Sequence, residues 1–232
     1  SMGGIETMQW AVSFPDFMSV AIPQTPMARA NRQGNFIWES VRQAVMLDPK
    51  WRDGDYPNDD PPRAGIGVGL QIQTVVGWSA AGFEEGFATR EQVHAFHAEG
   101  VKSVANGVQA RDWIYRSWAI QSHDIAQTPG FNGDFAAAAR SIKARVLMFP
   151  NCQDQLHPPR EGGVLEAMQH IPVAKLVDYD DIGGHRASTG ARALAMFATE
   201  VRDLLKRVED GRPGINGPRI PKNFGRPDYC PR

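Results

Sequence analysis

Hydrophobic positions follow two rhythms along the chain. Ile5, Met8, Ala11 and Val12 recur at steps of three and four, the spacing of a buried helix face, until Pro15 ends the run by removing a backbone donor. Residues 17–22 and 144–149 are instead short continuous apolar runs, which predict strands. The second run stops at Pro150 and passes into a polar loop, 151–159. A helical stretch from about 160 to 170 leads to a third strand at 175–179, a loop at 180–185, and a closing helix whose Leu194, Phe197, Val201, Leu204 and Val208 share one face. Strand, loop and helix repeated in this order imply parallel strands joined by helical crossovers, an α/β fold.

In a parallel sheet the loops leaving the carboxyl ends of the strands gather on one edge, where open α/β folds place their sites. Ser1, Asp154 and His185 each follow a strand, actual or implied, at that edge. A serine hydroxyl is a weak nucleophile until an imidazole takes its proton, and the imidazole needs a carboxylate to hold its tautomer and stabilise its charged form. Each residue has a local alternative: Asp154 suits a helix cap, and His185, after two glycines, suits a surface turn. The joint order Ser, Asp, His and the shared edge favour the catalytic reading.

The opening Ser1-Met2-Gly3-Gly4 runs straight into the first helix. It matches the second half of the G-x-S-x-G elbow, in which small residues let a helix pack closely on the preceding strand while the serine oxygen stands clear. A cloning remnant or a mis-assigned start would leave the same four residues. An N-terminal serine that used its own amine as base is a third reading, and it would leave Asp154 and His185 idle.

Composition narrows the classes. The 232 residues carry 25 basic and 26 acidic side chains, a formal net charge of -1, with 42% hydrophobic residues. That is a globular composition without the concentrated positive charge that nucleic acid or an anionic membrane surface demands. No run approaches the ~18 apolar residues of a membrane span. Cys152 and Cys230 are too few for a disulfide scaffold, and six scattered histidines form no metal motif. The expectation is therefore a cytoplasmic protein with a small-molecule substrate, no metal and no bound cofactor.

Ser1-Met2-Gly3-Gly4 with Met8-Gln9-Trp10-Ala11-Val12 and Pro15-Asp16 resembles the segment after the nucleophile in the homoserine O-acetyltransferase-like family of α/β-hydrolases. The resemblance continues through Glu39-Ser40-Val41-Arg42-Gln43-Ala44, Asp48-Pro49 and Gly54-Asp55-Tyr56, returns at 142–147, and includes Asp154, Leu156, Pro158-Pro159 and Gly184-His185. It implies Ser1 as nucleophile, Asp154 as orienting acid, His185 as general base, and the Met2 amide as half of an oxyanion hole. It also implies an acyl group passed from a thioester such as acetyl-CoA to a small hydroxyl acceptor, or to water in an esterase of the same fold.

By that resemblance residues 1–26 form the elbow, helix and first strand of the core. Residues 27–131 form a helical lid, 132–210 the core strands and helices carrying acid and base, and 211–232 an extended tail. Trp113, Tyr115 and Trp118, with His123, are either pocket-lining aromatics or core. Gly65-x-Gly67-x-Gly69 lacks the strand-turn-helix setting of a nucleotide motif. Two departures put homoserine in doubt as acceptor. Arg186 follows the base where the family's acetyltransferases carry an acidic residue, so this position suits a carboxylate or phosphate better than an ammonium. An arginine of the family's lid helix has no counterpart near Leu70 and Gln71. The strands that precede the nucleophile in this fold are missing, so the chain reads as a piece of a longer product, a non-catalytic remnant, or a partner of a complementing N-terminal segment or second copy.

Overall fold

A computed structural model describes residues 1–107, 109–177, 179–221 and 224. Helix α1 (Met2–Ser13) buries Gly4, Ile5, Met8, Ala11 and Val12, the face that the apolar spacing selects. A Cβ on Gly4 would run into the Gln24 carbonyl, so α1 lies backbone to backbone against the chain leaving β1 (Val20–Ala21). Strand β1 is shorter than the apolar run 17–22 because Phe17 belongs to an exposed turn, its amide donating to Phe14 O at 3.0 Å.

Between β1 and the next strand lie α2 (Arg32–Met46), α3 (Arg63–Gly77), α4 (Ala80–Gly86), α5 (Arg90–Gly107) and α6 (Ala110–Ser122). Trp38, Val41 and Val45 of α2, Ile66 of α3, and Trp113 and Ile114 of α6 make a core of their own. The glycine triplet is what lets α3 approach. A Cβ on Gly65 would stand 2.5 Å from Ala44 O, and one on Gly69 2.8 Å from the Trp113 ring, so these positions serve helix packing. The polar loop 53–62 is pinned by Arg111, which donates to Gly54 O at 2.6 Å and Tyr56 O at 2.7 Å while its guanidinium lies 4.1 Å over the Tyr56 ring.

After α7 (Phe135–Arg140) come β2 (Arg145–Met148), α8 (Val164–His170), β3 (Ala174–Leu176) and α9 (Ala191–Glu209). The strands pair in parallel in the order β1-β2-β3, with Val20 opposite Arg145 and Val146 opposite Ala174. Alternation sends β2 to both layers. Val146 and Met148 join α1, α7 and α8 in one core, while Leu147 and Phe149 meet α9 on the other face. Sequence spacing placed Leu194 on the buried stripe of α9, but it is exposed and Ala193 takes the inward place. From Ala193 the inward-facing series continues through the half-buried Phe197 and Val201, the buried Leu204 and the half-buried Val208 at steps of four and three.

Helix α8 starts later than position 160 because the chain first makes turns. Gly162 N donates to Pro158 O at 2.8 Å, and Gly163 takes a φ of 73°, which a glycine accepts without strain. The described part of the tail bends repeatedly, with Gly211, Gly214 and Gly217 at positive φ, and is anchored. Leu176 N donates to Arg219 O at 2.8 Å, extending the β3 edge, and the Arg219 guanidinium donates to the carbonyls of Met168, Ile171 and Pro172. These are the acceptors that a helix C-terminus leaves unpaired. Cys230 lies outside the described residues, as does most of the tail beyond Pro221. Among the described residues no helix is long and apolar enough to cross a membrane.

Candidate active site

The loop leaving β2 folds on itself around Asp154. Its Oδ1 accepts the amides of Leu156 at 2.9 Å and His157 at 2.8 Å, a local turn of the kind aspartate favours. Oδ2 is thereby left for another partner, and His185 Nδ1 approaches it at 2.7 Å. One Asp154 oxygen therefore serves the turn while the other faces His185. An ionised carboxylate only accepts, so His185 carries its proton on Nδ1 and presents Nε2 as a proton acceptor. The Asp154 side chain is fully buried and that of His185 is 13% exposed. Burial alone would raise the Asp154 pKa, but the His185 imidazole, with His157 and its amide, holds the acid below the ordinary carboxylate range.

His185 stands in the loop after β3, in a 3-10 turn that begins at Gly184. Gly184 has a φ of 61°, and a Cβ there would stand 2.7 Å from Ser79 N. Only glycine meets both demands. Loops from two neighbouring strands thus carry Asp154 and His185 to the same sheet edge.

Ser1 caps α1. Its carbonyl accepts Gly4 N at 2.8 Å and Ile5 N at 3.1 Å, and its amine donates to Gln24 O at 2.6 Å and to Thr25 Oγ1. Thr25 is buried at a φ of 42°, a conformation that β-branched residues avoid. Its carbonyl meets His157 Nδ1 at 2.8 Å, and the His157 ring lies edge to face with His185, centroids 4.7 Å apart. Ser1 is joined to the Asp154–His185 pair through Thr25 and His157. Desolvation, and to a lesser degree the His185 charge, pushes His157 down to about 3, so it is neutral at any physiological pH.

No family model matches the chain. Individual proteins do. The homoserine O-acetyltransferase of Zymomonas mobilis is 30% identical over 181 residues, covering 71% of this chain and 48% of that protein. An ethyl acetate hydrolase of Pseudomonas veronii is 26% identical over 215 residues, covering 88% of this chain and 59% of the hydrolase. Among solved structures, the acetyl esterase MekB superposes with a TM-score of 0.78 at 25% identity, over 89% of this chain and 60% of the esterase. The chain belongs to the homoserine O-acetyltransferase-like family of α/β-hydrolases. It spans about half the length of the curated relatives it matches, and these relatives include both acetyltransferases and esterases by name.

The family likeness carries fewer of the other expected residues to this edge. Arg186, next to His185, lays its guanidinium 5.4 Å from the Trp78 ring and 5.3 Å from the Phe96 ring, so it braces the His185 loop against the α3–α5 aromatics. Trp113 is buried in the α2–α3–α6 core against Gly69, while Tyr115 and Trp118 pair with each other on the exposed side of α6. None of the three borders the cavity of about 420 Å³ that Met2, Ile5 and Gln9 of α1 form with Ile120, His123 and Thr128. Met2 opens the first turn of α1, where amides have no acceptor within the helix.

Sequence reasoning passed over Asn151, His157, Thr25 and Ser79. Asn151 and His157 flank Asp154 within three residues, yet nothing in a loop's spacing says which polar side chain turns inward.

Proposed function

We propose that the protein to which this chain belongs performs acyl transfer through a serine ester. Ser1 is the nucleophile, His185 the general base and Asp154 its orienting acid. The observation that carries this reading is the buried Asp154 Oδ2 at 2.7 Å from His185 Nδ1, on the sheet edge that also holds the turn from Ser1 into α1. In the first step Ser1 Oγ adds to the acyl carbonyl while His185 Nε2 takes the hydroxyl proton, and the leaving alcohol or thiol departs with that proton. In the second, a hydroxyl acceptor or water gives a proton to His185 and attacks the ester, and the proton returns to Ser1 as the product leaves. The Met2 amide supplies one donor to the developing oxyanion.

The acyl group is small and arrives on a thioester such as acetyl-CoA or on a simple ester. Arg186, standing where an acidic partner for an ammonium is expected, favours water or an uncharged alcohol over homoserine as the acceptor. A time course with an acetyl ester or acetyl-CoA, with and without homoserine or a simple alcohol, tests this. Free acetate produced at a rate that homoserine leaves unchanged is the expected result. Stoichiometric acetyl-homoserine with little free acetate would overturn the choice of acceptor, and failure of any donor to turn over would overturn the chemistry.

A further inference from the structure

The loop that carries His185 is gripped from two sides. From the sheet, the fully buried Asn151 makes four contacts with its amide. Nδ2 donates to Asp181 O at 2.9 Å and Gly184 O at 2.6 Å, while Oδ1 accepts Asp181 N at 3.1 Å and Gln153 N at 3.2 Å. One side chain thus ties the acid loop to the residue immediately before the base.

From the lid comes the corner where α3 turns into α4. Ser79, itself buried, caps α4 by accepting Gly82 N at 3.0 Å, and its hydroxyl donates to Ile182 O. Gly82 has room for no side chain because a Cβ would run into that same Ile182 carbonyl, and a Cβ on Gly184 would meet Ser79 N. Lid backbone and base-loop backbone are therefore in direct contact at 79–82 and 182–184. Arg186, clasped by Trp78 and Phe96, closes the loop on its far side.

A lid that only covered a pocket would have no need of this. We infer that the lid corner is a positioning device for the catalytic base: Ser79, acting through Ile182, holds His185 on Asp154, with Asn151 as the opposing jaw. The inference rests on the assignment of His185 as base. It adds that displacing the lid releases the base, which couples lid position to reactivity. Misplacement of a reacting group by about 1 Å costs on the order of 10²-fold in rate.

Three substitutions in the full 232-residue chain separate this role from simple support of α4. Ser79→Gly keeps a tolerated helix cap, since glycine is accepted at that position, but deletes the donor to Ile182. Ser79→Thr keeps both the cap and the donor. Gly82→Ala favours the helix intrinsically while driving a methyl into the Ile182 carbonyl. The readout is the His185 Nδ1 proton in the nuclear magnetic resonance spectrum, assigned by its loss in His185→Gln, together with the melting temperature. The signal should broaden away in Ser79→Gly and Gly82→Ala and persist in Ser79→Thr, with each variant still folding cooperatively. Where turnover is measurable, kcat should fall about 10- to 100-fold with KM unchanged. Should Ser79→Gly fail to fold, Gly82→Ala decides alone. Persistence of the signal in the glycine and alanine variants, or its equal loss in Ser79→Thr, would overturn the inference. Because the signal needs no turnover, an inactive wild type with an intact Nδ1 proton would count against the proposed function and leave this test standing.

Discussion

Asp154→Asn lowers acyl or ester turnover by about four orders of magnitude while the protein stays folded. The asparagine Oδ1 can still accept the amides of Leu156 and His157, so the turn survives. What changes is the other atom. An NH2 group now faces His185 Nδ1, and two donors cannot share that contact. The ring must give up the Nδ1–H tautomer, protonating the nitrogen that has to accept from serine. In serine-triad enzymes at large, that swap costs roughly 10⁴ in kcat, or about 5 kcal/mol of transition-state stabilisation. Steady-state kinetics on an acetyl ester, paired with a melting curve, check it. A loss of less than about tenfold would mean that the Asp154–His185 contact is structural.

The second large effect is on stability in acid and belongs to His157. This imidazole is buried, its Nδ1 meets the Thr25 carbonyl, and its Nε2 has no partner among the described residues. Since a carbonyl only accepts, the native ring is the neutral Nδ1–H tautomer. Its folded pKa is depressed to about 3, whereas the unfolded chain takes up the proton near the ordinary value of about 6.5. Below that value the unfolded state binds more protons, so stability is full above roughly pH 6.5 and falls as the pH drops toward 3. The slope from one such group is about 1.4 kcal/mol per pH unit, or about 2–3 kcal/mol between pH 6.5 and 4.5. His123, also lowered by burial, adds to the loss in the same direction. His157→Phe keeps a ring against His185 and removes the titration, so urea midpoints measured from pH 7.5 to 4.5 should show a shallower acid limb in the variant. Parallel limbs would mean that His157 is protonated in the folded protein.

The parts of this architecture that were legible in the sequence are those with a period. The buried face of α1, the strand at 145–148 and most of α9 follow from steps of three, four or one, because burial on a regular element repeats in space. The meeting of Asp154 with His185 followed from topology, since both close parallel strands at the same edge. Contacts between loops were not legible. Asn151, Ser79 and His157 act on backbone groups 30, 103 and 132 positions away, and nothing local marks them. The aromatic set of α6 illustrates a reading that geometry alone corrects. Trp113 and Tyr115 are two positions apart, which on a helix turns them to opposite sides, whereas Tyr115 and Trp118 are three apart and share a face. One ring fills the core between α2, α3 and α6 and the other two stand outside.

The central claim is that Ser1 is the hydroxyl this acid and base activate. Fluorophosphonate labelling of the intact protein, with the adduct located by mass spectrometry, tests it most directly. The account predicts a single adduct on Ser1 in the peptide that ends at Arg29, absent in Ser1→Ala and strongly slowed in His185→Gln. Labelling on Ser13 or Ser19 of that peptide, or on a serine elsewhere, or no labelling of a protein whose His185 Nδ1 proton is plainly visible, would contradict it.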